Sequence, residues 1–306
     1  MSARIAVDLN LFEHIVKYEP VNVAKLAELS GAEELLLSIY TLLYLYIEYR
    51  ETEGTNKRVE RILRPLASTK FVKEVDEETW GATPVTKAMT QKGIAAGHRM
   101  FYKVSIILAP CLGMCLEILI HLWEIRWGHG DIGWIGGRWR RGFLRVEGAD
   151  NTLLVDLGGG KGHDIMAFKE KFGRREKGVG RLVLQYQPHV LKEIGEGIEK
   201  CGYDFFTEQP VKNSRIYCYH HILHDWSDYK CLEILRVLKS AMKPNYSKLI
   251  IHEMIVPESG ASTYHALLDL TMMAFNGGID RTGKEWRKLL VKAGFEVTGI
   301  WVPEVS

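Results

Sequence analysis

The period of the apolar positions changes near residue 150, and the change divides the chain. Over residues 5–30, Ile5, Leu9, Leu11, Phe12, Ile15 and Val16 recur at helical spacing, Pro20 interrupts, and Val23, Leu26, Ala27 and Leu29 resume the pattern before Gly31. Spacings of three and four put such positions on one helical face, and proline and glycine end helices, so the segment predicts helix, turn, helix. After a longer helical piece, Phe71-Val-Lys-Glu-Val75 and Thr79-Trp-Gly-Ala-Thr83 read as two short strands joined by the acidic turn Asp76-Glu-Glu78. A strand pair following helices predicts a winged helix over residues 1–100.

From residue 151 short apolar runs alternate with amphipathic stretches. Strands are expected at Leu153–Asp156, Arg181–Gln185, Ile216–Leu223, Lys248–Val256 and Glu296–Val302, and helices at Asp164–Phe172, His189–Lys200, Asp228–Met242, Tyr264–Phe275 and Lys284–Ala293. That alternation predicts an α/β fold for residues 151–306, a Rossmann-like, mainly parallel sheet with helices on both faces. Ligands of such sheets lie beyond the carboxyl ends of the strands. Residues 101–150 read as a helical connector ending in the Trp-, Gly- and Arg-rich run Trp134–Phe143. Within it, Val104–Trp123 approaches the length of a membrane span, but Glu117 and His121 lie inside and Pro110 interrupts. A central charge costs roughly 3 kcal/mol on insertion, so a buried helix pair is expected and no membrane partner.

Composition narrows the class. With 306 residues there is room for about two domains, and a formal net charge of +2 gives no global electrostatic case for nucleic acid. Glu13, Glu19 and Glu28 on the first helices also speak against DNA, which leaves homodimerisation as the expected role of the winged helix. Five cysteines without a Cys-x-x-Cys pair, and an N-terminus without a long apolar run, fit a reduced, cytoplasmic setting.

The chemistry gathers at strand ends. Asp156-Leu-Gly-Gly-Gly-Lys-Gly-His-Asp164 takes the chain from a strand through a tight turn into a helix start, and its glycines leave no Cβ between main chain and ligand. Asp156 adds a carboxylate facing the same space. A pyrophosphate would be repelled there, whereas a cofactor with an ammonium and a sulfonium would be attracted, so the motif favours S-adenosylmethionine over a dinucleotide. His224, in His220-His-Ile-Leu-His-Asp-Trp-Ser-Asp228, is a candidate general base, because an imidazole titrates near neutral pH. The competing reading of His224 is a capping or packing histidine. Glu253 and Asp280 are acids able to orient an imidazole, or simply solvated loop carboxylates. His220 and His224 lack an evident third ligand, so no metal is expected.

Taken together, Asp156-Leu-Gly-Gly-Gly-Lys-Gly-His-Asp, Arg181-Leu-Val-Leu-Gln, Asp204-Phe-Phe-Thr-Glu-Gln-Pro-Val, Leu223-His-Asp-Trp-Ser-Asp, Ala241-Met-Lys-Pro-Asn-Tyr-Ser-Lys-Leu-Ile, Leu268-Asp-Leu-Thr-Met-Met-Ala and Asp280-Arg-Thr resemble the caffeate-type S-adenosylmethionine-dependent O-methyltransferases, in particular fungal secondary-metabolite members. The resemblance extends to the N-terminus, where Ala3–His14 and Ala82-Thr-Pro-Val-Thr-Lys look like the family's dimerisation domain. It implies that Asp156, Gly158, Gly159 and Gly160 hold the methionyl part of the cofactor, that Asp204 and Phe205 lie along its adenine, and that Trp226 covers the ring. His220 stands where relatives carry Lys or Arg, and Tyr186 where they carry the acid that grips the ribose. His224 would take the proton from a phenolic hydroxyl, with Glu253 and Asp280 as the flanking carboxylates and Met272 and Asn276 at the acceptor ring. Residues Ser38–Glu60 read as an insertion, and the chain stops at Ser306 where relatives continue into one more strand. The implied function is methylation of a phenolic small molecule, the alternative being a relative that keeps the fold with impaired turnover.

Overall fold

The computed structural model describes residues 2–31, 55–96, 146, 152–173, 180–191 and 198–301. In chain order the elements begin α1 (Ser2–Asp8), α2 (Leu11–Tyr18), β1 (Val21–Asn22), α3 (Val23–Ser30), α4 (Thr55–Ser68), β2 (Val72–Asp76), β3 (Thr79–Ala82) and α5 (Pro84–Met89). They continue β4 (Thr152–Leu157), α6 (His163–Gly173), β5 (Arg181–Tyr186), α7 (Pro188–Leu191), β6 (Glu199–Gly202), β7 (Ile216–His220), a single 3-10 turn (Leu223–Asp225), α8 (Asp228–Ala241), β8 (Lys248–His252), α9 (Thr263–Asn276) and α10 (Gly283–Lys292). The described residues form two compact units, one of 2–96 with 255–285 and one of 146–254 with 286–301.

In the first unit the apolar stripe expected as one helix over 5–16 forms two, because Asn10 adopts a left-handed conformation (φ 51°) between α1 and α2. Asparagine tolerates that region better than most residues. Asn22 caps α3 by accepting the Lys25 amide at 2.9 Å, and Gly31 (φ 57°) ends it. The two expected strands are present as β2 and β3, and β1 joins them in an antiparallel sheet of order β1-β3-β2. Leu11, Phe12, Leu26, Ile62, Leu63 and Trp80 pack in its core. Helix α4 buries Val59, Ile62, Leu63 and Leu66, one helical face, but it also buries Glu60, Arg61 and Arg64. Arg61 donates from Nε to Asp269 Oδ2 at 2.9 Å and from Nη2 to the carbonyl oxygens of Asp269 and Gly278, both at 2.8 Å. Asp269 Oδ1 also accepts the Asp280 amide at 3.1 Å, and Arg64 pairs with Glu60.

The second unit is built on a five-stranded parallel sheet of order β6-β5-β4-β7-β8. Central β4 is buried at every position, as expected of a parallel strand covered on both faces. Leu153, Ile165, Phe168, Leu184 and Ile216 pack together on one side.

Three expectations for this unit are corrected. The helix expected to run through Lys200 is replaced at its end by strand β6, whose Glu-Lys-Cys-Gly sequence lacks apolar alternation because it is an exposed edge, held by its ladder to β5 and by the Arg181–Glu199 ion pair. Strands β7 and β8 stop at His220 and His252, short of Leu223 and Val256: the chain reverses at His221 (φ 52°), and residues 253–255 leave the ladder before Val256 bridges to Thr282. Residues 295–301 form no strand. Their burial still alternates, but among the described residues none pairs with them, and β8 is the edge of the described sheet and only half-buried throughout. Among the described residues no helix is long and apolar enough to cross a membrane, and Val104–Trp123 lies outside them.

Candidate active site

The turn after β4 shows three separate reasons for its glycines. Gly158 (φ 78°) donates its amide to the Gln185 carbonyl at 2.8 Å, and a Cβ there would come within 2.5 Å of Ile222 Cδ1 and 3.2 Å of Phe205 Cζ. On Gly159 a Cβ would collide with the Asp156 carboxylate. Gly160 (φ 52°) takes the left-handed conformation that glycine adopts without strain, and the place of its missing Cβ is open space. The main chain of the turn and the Asp156 carboxylate therefore face each other with no side chain between them. On the far side, fully buried Gln185 and Gln209 exchange hydrogen bonds of 2.7 and 2.9 Å, tying β5 to the segment that carries Asp204–Phe206.

Asp156 is 2 % exposed, and neither of its oxygens accepts a hydrogen bond from the described protein atoms. Burial pushes its carboxyl up to about 7, the charge of Asp164 adds to this, and His220 opposes it. A buried carboxylate without donors fits a cationic ligand, which would supply the missing donors and restore the charged form. The ammonium and sulfonium of S-adenosylmethionine meet that requirement, so the residues present fit this cofactor.

His220, the last residue of β7, pairs through Nδ1 with Asp164 Oδ2 on the first turn of α6. Burial would raise the Asp164 carboxyl, but the hydrogen bond and charge of His220, with His252 and His163 behind it, hold it below the usual carboxylate range. The chain then reverses at His221, whose left-handed backbone (φ 52°) lets its amide reach the His252 carbonyl at 3.1 Å. A non-glycine residue in that region is held there by its surroundings, and such residues gather at functional sites. Those surroundings are supplied by Glu253. Its Oε1 accepts the amides of Ile222, Leu223 and His224 at 3.0, 2.8 and 3.3 Å, while Oε2 lies 3.6 Å from His221 Nδ1. Burial would raise this carboxyl, yet the neighbouring His221 and His224 imidazoles and the Leu223 amide outweigh it and hold the acid below the usual carboxylate range.

His224 is thus placed by main chain. It is 7 % exposed, with Nε2 at 3.5 Å from Asp225 Oδ1. His252 stacks at 4.2 Å on His220, and burial together with the charges of His220 and His221 lowers it to about 4. His221, His224 and Glu253 each present a potential ligand atom, all within 4.8 Å of one another.

The structure brings Asp156, Gly158, Gly159 and Phe205 into one neighbourhood, and His224 and Glu253 into another on the adjoining strand ends. Trp226 packs edge-on against Phe206, ring centroids 5.1 Å apart, while Phe205 meets Tyr219 at 6.0 Å. Asp204 is exposed and closes a turn by accepting the Phe206 amide at 3.1 Å. Tyr186 ends β5 half-buried against the Leu153–Leu184 cluster. In the other unit, Asp280 is fully buried with its amide on Asp269, and the Met272 side chain is half-buried on α9. The Asn276 side chain lies outside the described residues. Sequence reasoning missed His221, His252, Asp164 and Ile222 as site residues. The paired histidines at 220–221 and the His-Glu pair at 252–253 were the available signals.

Residues 147–296 match the O-methyltransferase domain family. The O-methyltransferase penC of Penicillium thymicola is 38 % identical over 343 residues, covering 98 % of this chain and 79 % of that protein. The O-methyltransferase asqD of Emericella nidulans is 36 % identical over 351 residues, covering 98 % and 82 %. Among solved structures, a LepI variant in complex with SAH and a substrate analogue aligns at 25 % identity with a TM-score of 0.50, covering 96 % of this chain and 79 % of that one. An O-methyltransferase family 2 protein from Planctomyces limnophilus, in complex with apigenin, shares the fold with a TM-score of 0.61 at 14 % identity, covering 96 % and 86 %.

Proposed function

The chain belongs to the fungal secondary-metabolite family of S-adenosylmethionine-dependent O-methyltransferases, and from that premise we propose that it methylates the hydroxyl of a phenolic small molecule with His224 as general base. The observation that carries the reading is the placement of His224, a buried imidazole at a strand's carboxyl end on a turn clamped by three amide bonds to Glu253. Bound S-adenosylmethionine supplies an electrophilic methyl group on a sulfonium. Asp156 receives the cofactor's positive charge, and the Gly158–Gly160 main chain lets the methionyl part lie against the turn.

A phenolic hydroxyl has a pKa of about 10, low enough for an imidazole to accept its proton as the oxygen attacks. Glu253, held ionised, then stabilises the imidazolium that forms. Asp204, Phe205 and Trp226 are assigned to the adenine, Tyr186 to a ribose hydroxyl and His220 to the wall beside the cofactor. The family pattern assigns Asp280 as the second carboxylate, one methylene shorter than the usual glutamate, and Met272 and Asn276 to the acceptor ring. The N-terminal helices with their three-stranded sheet are compatible with a winged-helix domain, to which the family pattern assigns homodimerisation, and the cytoplasmic reading rests on the cysteine usage.

The test is His224→Ala, assayed with S-adenosylmethionine and a panel of phenols. Turnover should fall by about 10²–10⁴ while cofactor affinity is unchanged, because the base touches the acceptor. Equal turnover by the variant and the parent overturns the role.

A further inference from the structure

We propose that His221, His224 and Glu253 form a site for a Zn²⁺-like transition-metal dication, and that occupation of this site shuts off methyl transfer by taking the lone pair that His224 needs as a base. The inhibitory half rests on the catalytic reading of His224; the metal site itself does not.

Three observations on one turn support it. The donor set is two imidazoles and a carboxylate, the mixture that suits Zn²⁺, Co²⁺, Ni²⁺ or Cu²⁺ better than Mg²⁺ or Ca²⁺. The spacing is close to that of a chelate. Ligand atoms ~2.1 Å from a tetrahedral ion lie ~3.4 Å apart, and His221 Nδ1 is 3.6 Å from Glu253 Oε2, with the third ligand atom within 4.8 Å of both. Rotation of the imidazoles would have to close the remaining gap.

The support around the ligands is already built. Glu253 Oε1 is engaged by three amides, which fixes the carboxylate and directs Oε2 towards His221. His221 itself is held in a left-handed conformation that aims its ring to the same side as Glu253. Ligating carboxylates are commonly braced in this way, and loss of such bracing weakens metal binding. An ion here would leave open coordination positions and would compete with the acceptor's proton for the same imidazole.

The experiment uses the full chain, stripped with a chelator, titrated with Co²⁺ and followed by visible absorption. One equivalent should bind with the d–d bands of a nitrogen- and oxygen-ligated ion, and Zn²⁺ should displace it. His221→Asn is the variant of choice, because asparagine tolerates the left-handed backbone while removing the imidazole. It should weaken Co²⁺ binding at least about tenfold and raise the Zn²⁺ concentration that halves methyl transfer by the same factor. Absence of Co²⁺ bands at millimolar ion, or an unchanged spectrum and affinity in His221→Asn, overturns the site. Full activity of the parent at saturating Zn²⁺ overturns the inhibition. If the stripped enzyme methylates no phenol, the catalytic reading fails on its own, and the Co²⁺ titration still decides the site.

Discussion

Two buried carboxylates, Asp269 and Asp156, are treated in opposite ways. Asp269 is fully buried and saturated, with Arg61 bridging both its oxygens, Arg64 at 3.9 Å and the Asp280 amide as a further donor. Asp156 is buried to nearly the same degree, yet neither of its oxygens receives a hydrogen bond from the described protein atoms. A buried charge left without partners costs several kcal/mol, so such a group persists only where something else is gained. Saturation marks a carboxylate that holds a fold together, here by fixing the Gly278–Asp280 segment against α4 and α9. An unfilled hydrogen-bonding capacity at a strand end fits the ligand-binding role proposed for Asp156.

The largest expected effect tests the saturated side of this comparison. Arg61→Ala leaves Asp269 buried without its main partner and should cost about 3–5 kcal/mol in urea unfolding. If the variant does not fold, Arg61→Lys, which keeps the charge and loses the bidentate geometry, should show a smaller loss of the same sign. A loss below about 1 kcal/mol from Arg61→Ala breaks the comparison.

Asp156→Asn tests the other side, and its sign is reversed. The folded carboxyl titrates at about 7 and the unfolded one near 3.8, so the native state holds an extra proton between them. Stability without cofactor should therefore fall as pH rises from 4 through 7, and removing the charge should recover on the order of 2–4 kcal/mol at pH 8. The same substitution should weaken S-adenosylmethionine by about tenfold or more, since a charge-assisted contact is worth about 1.5–3 kcal/mol. Thermal melts across pH and a calorimetric titration check both. A variant that gains no stability and binds cofactor as the parent does would place Asp156 with the structural carboxylates.

The smallest effect is a control on burial. Lys25 and Glu28 pair at 3.0 Å on the exposed face of α3, and Lys25→Ala should move stability by no more than about 0.5 kcal/mol. A larger loss would mean that charge pairing alone, irrespective of burial, governs the difference between Asp269 and Asp156.

The sequence by itself determined the elements whose signals are local. Strands β4, β5, β7 and β8 and helices α6, α8, α9 and α10 follow from apolar periodicity, and the Gly158–Gly162 turn from glycines before a helix start. His224 and Glu253 stood out because each follows a strand-like run. Tertiary structure decided the rest, since pairing partners distant in sequence leave no periodic trace. Strand β6, without apolar alternation, is held by its ladder to β5, while residues 295–301, with a better alternating pattern, form no strand. Arg61 and Asp269 meet across 208 residues, and neither motif around them encodes the other. Glu253 read as a flanking acid, but its three amide bonds make it first the clamp of the turn that carries His221 and His224. Hydrogen-bond saturation is a property of three-dimensional neighbours, and it is what separates Asp156 from Asp269, two aspartates whose sequence surroundings are equally apolar.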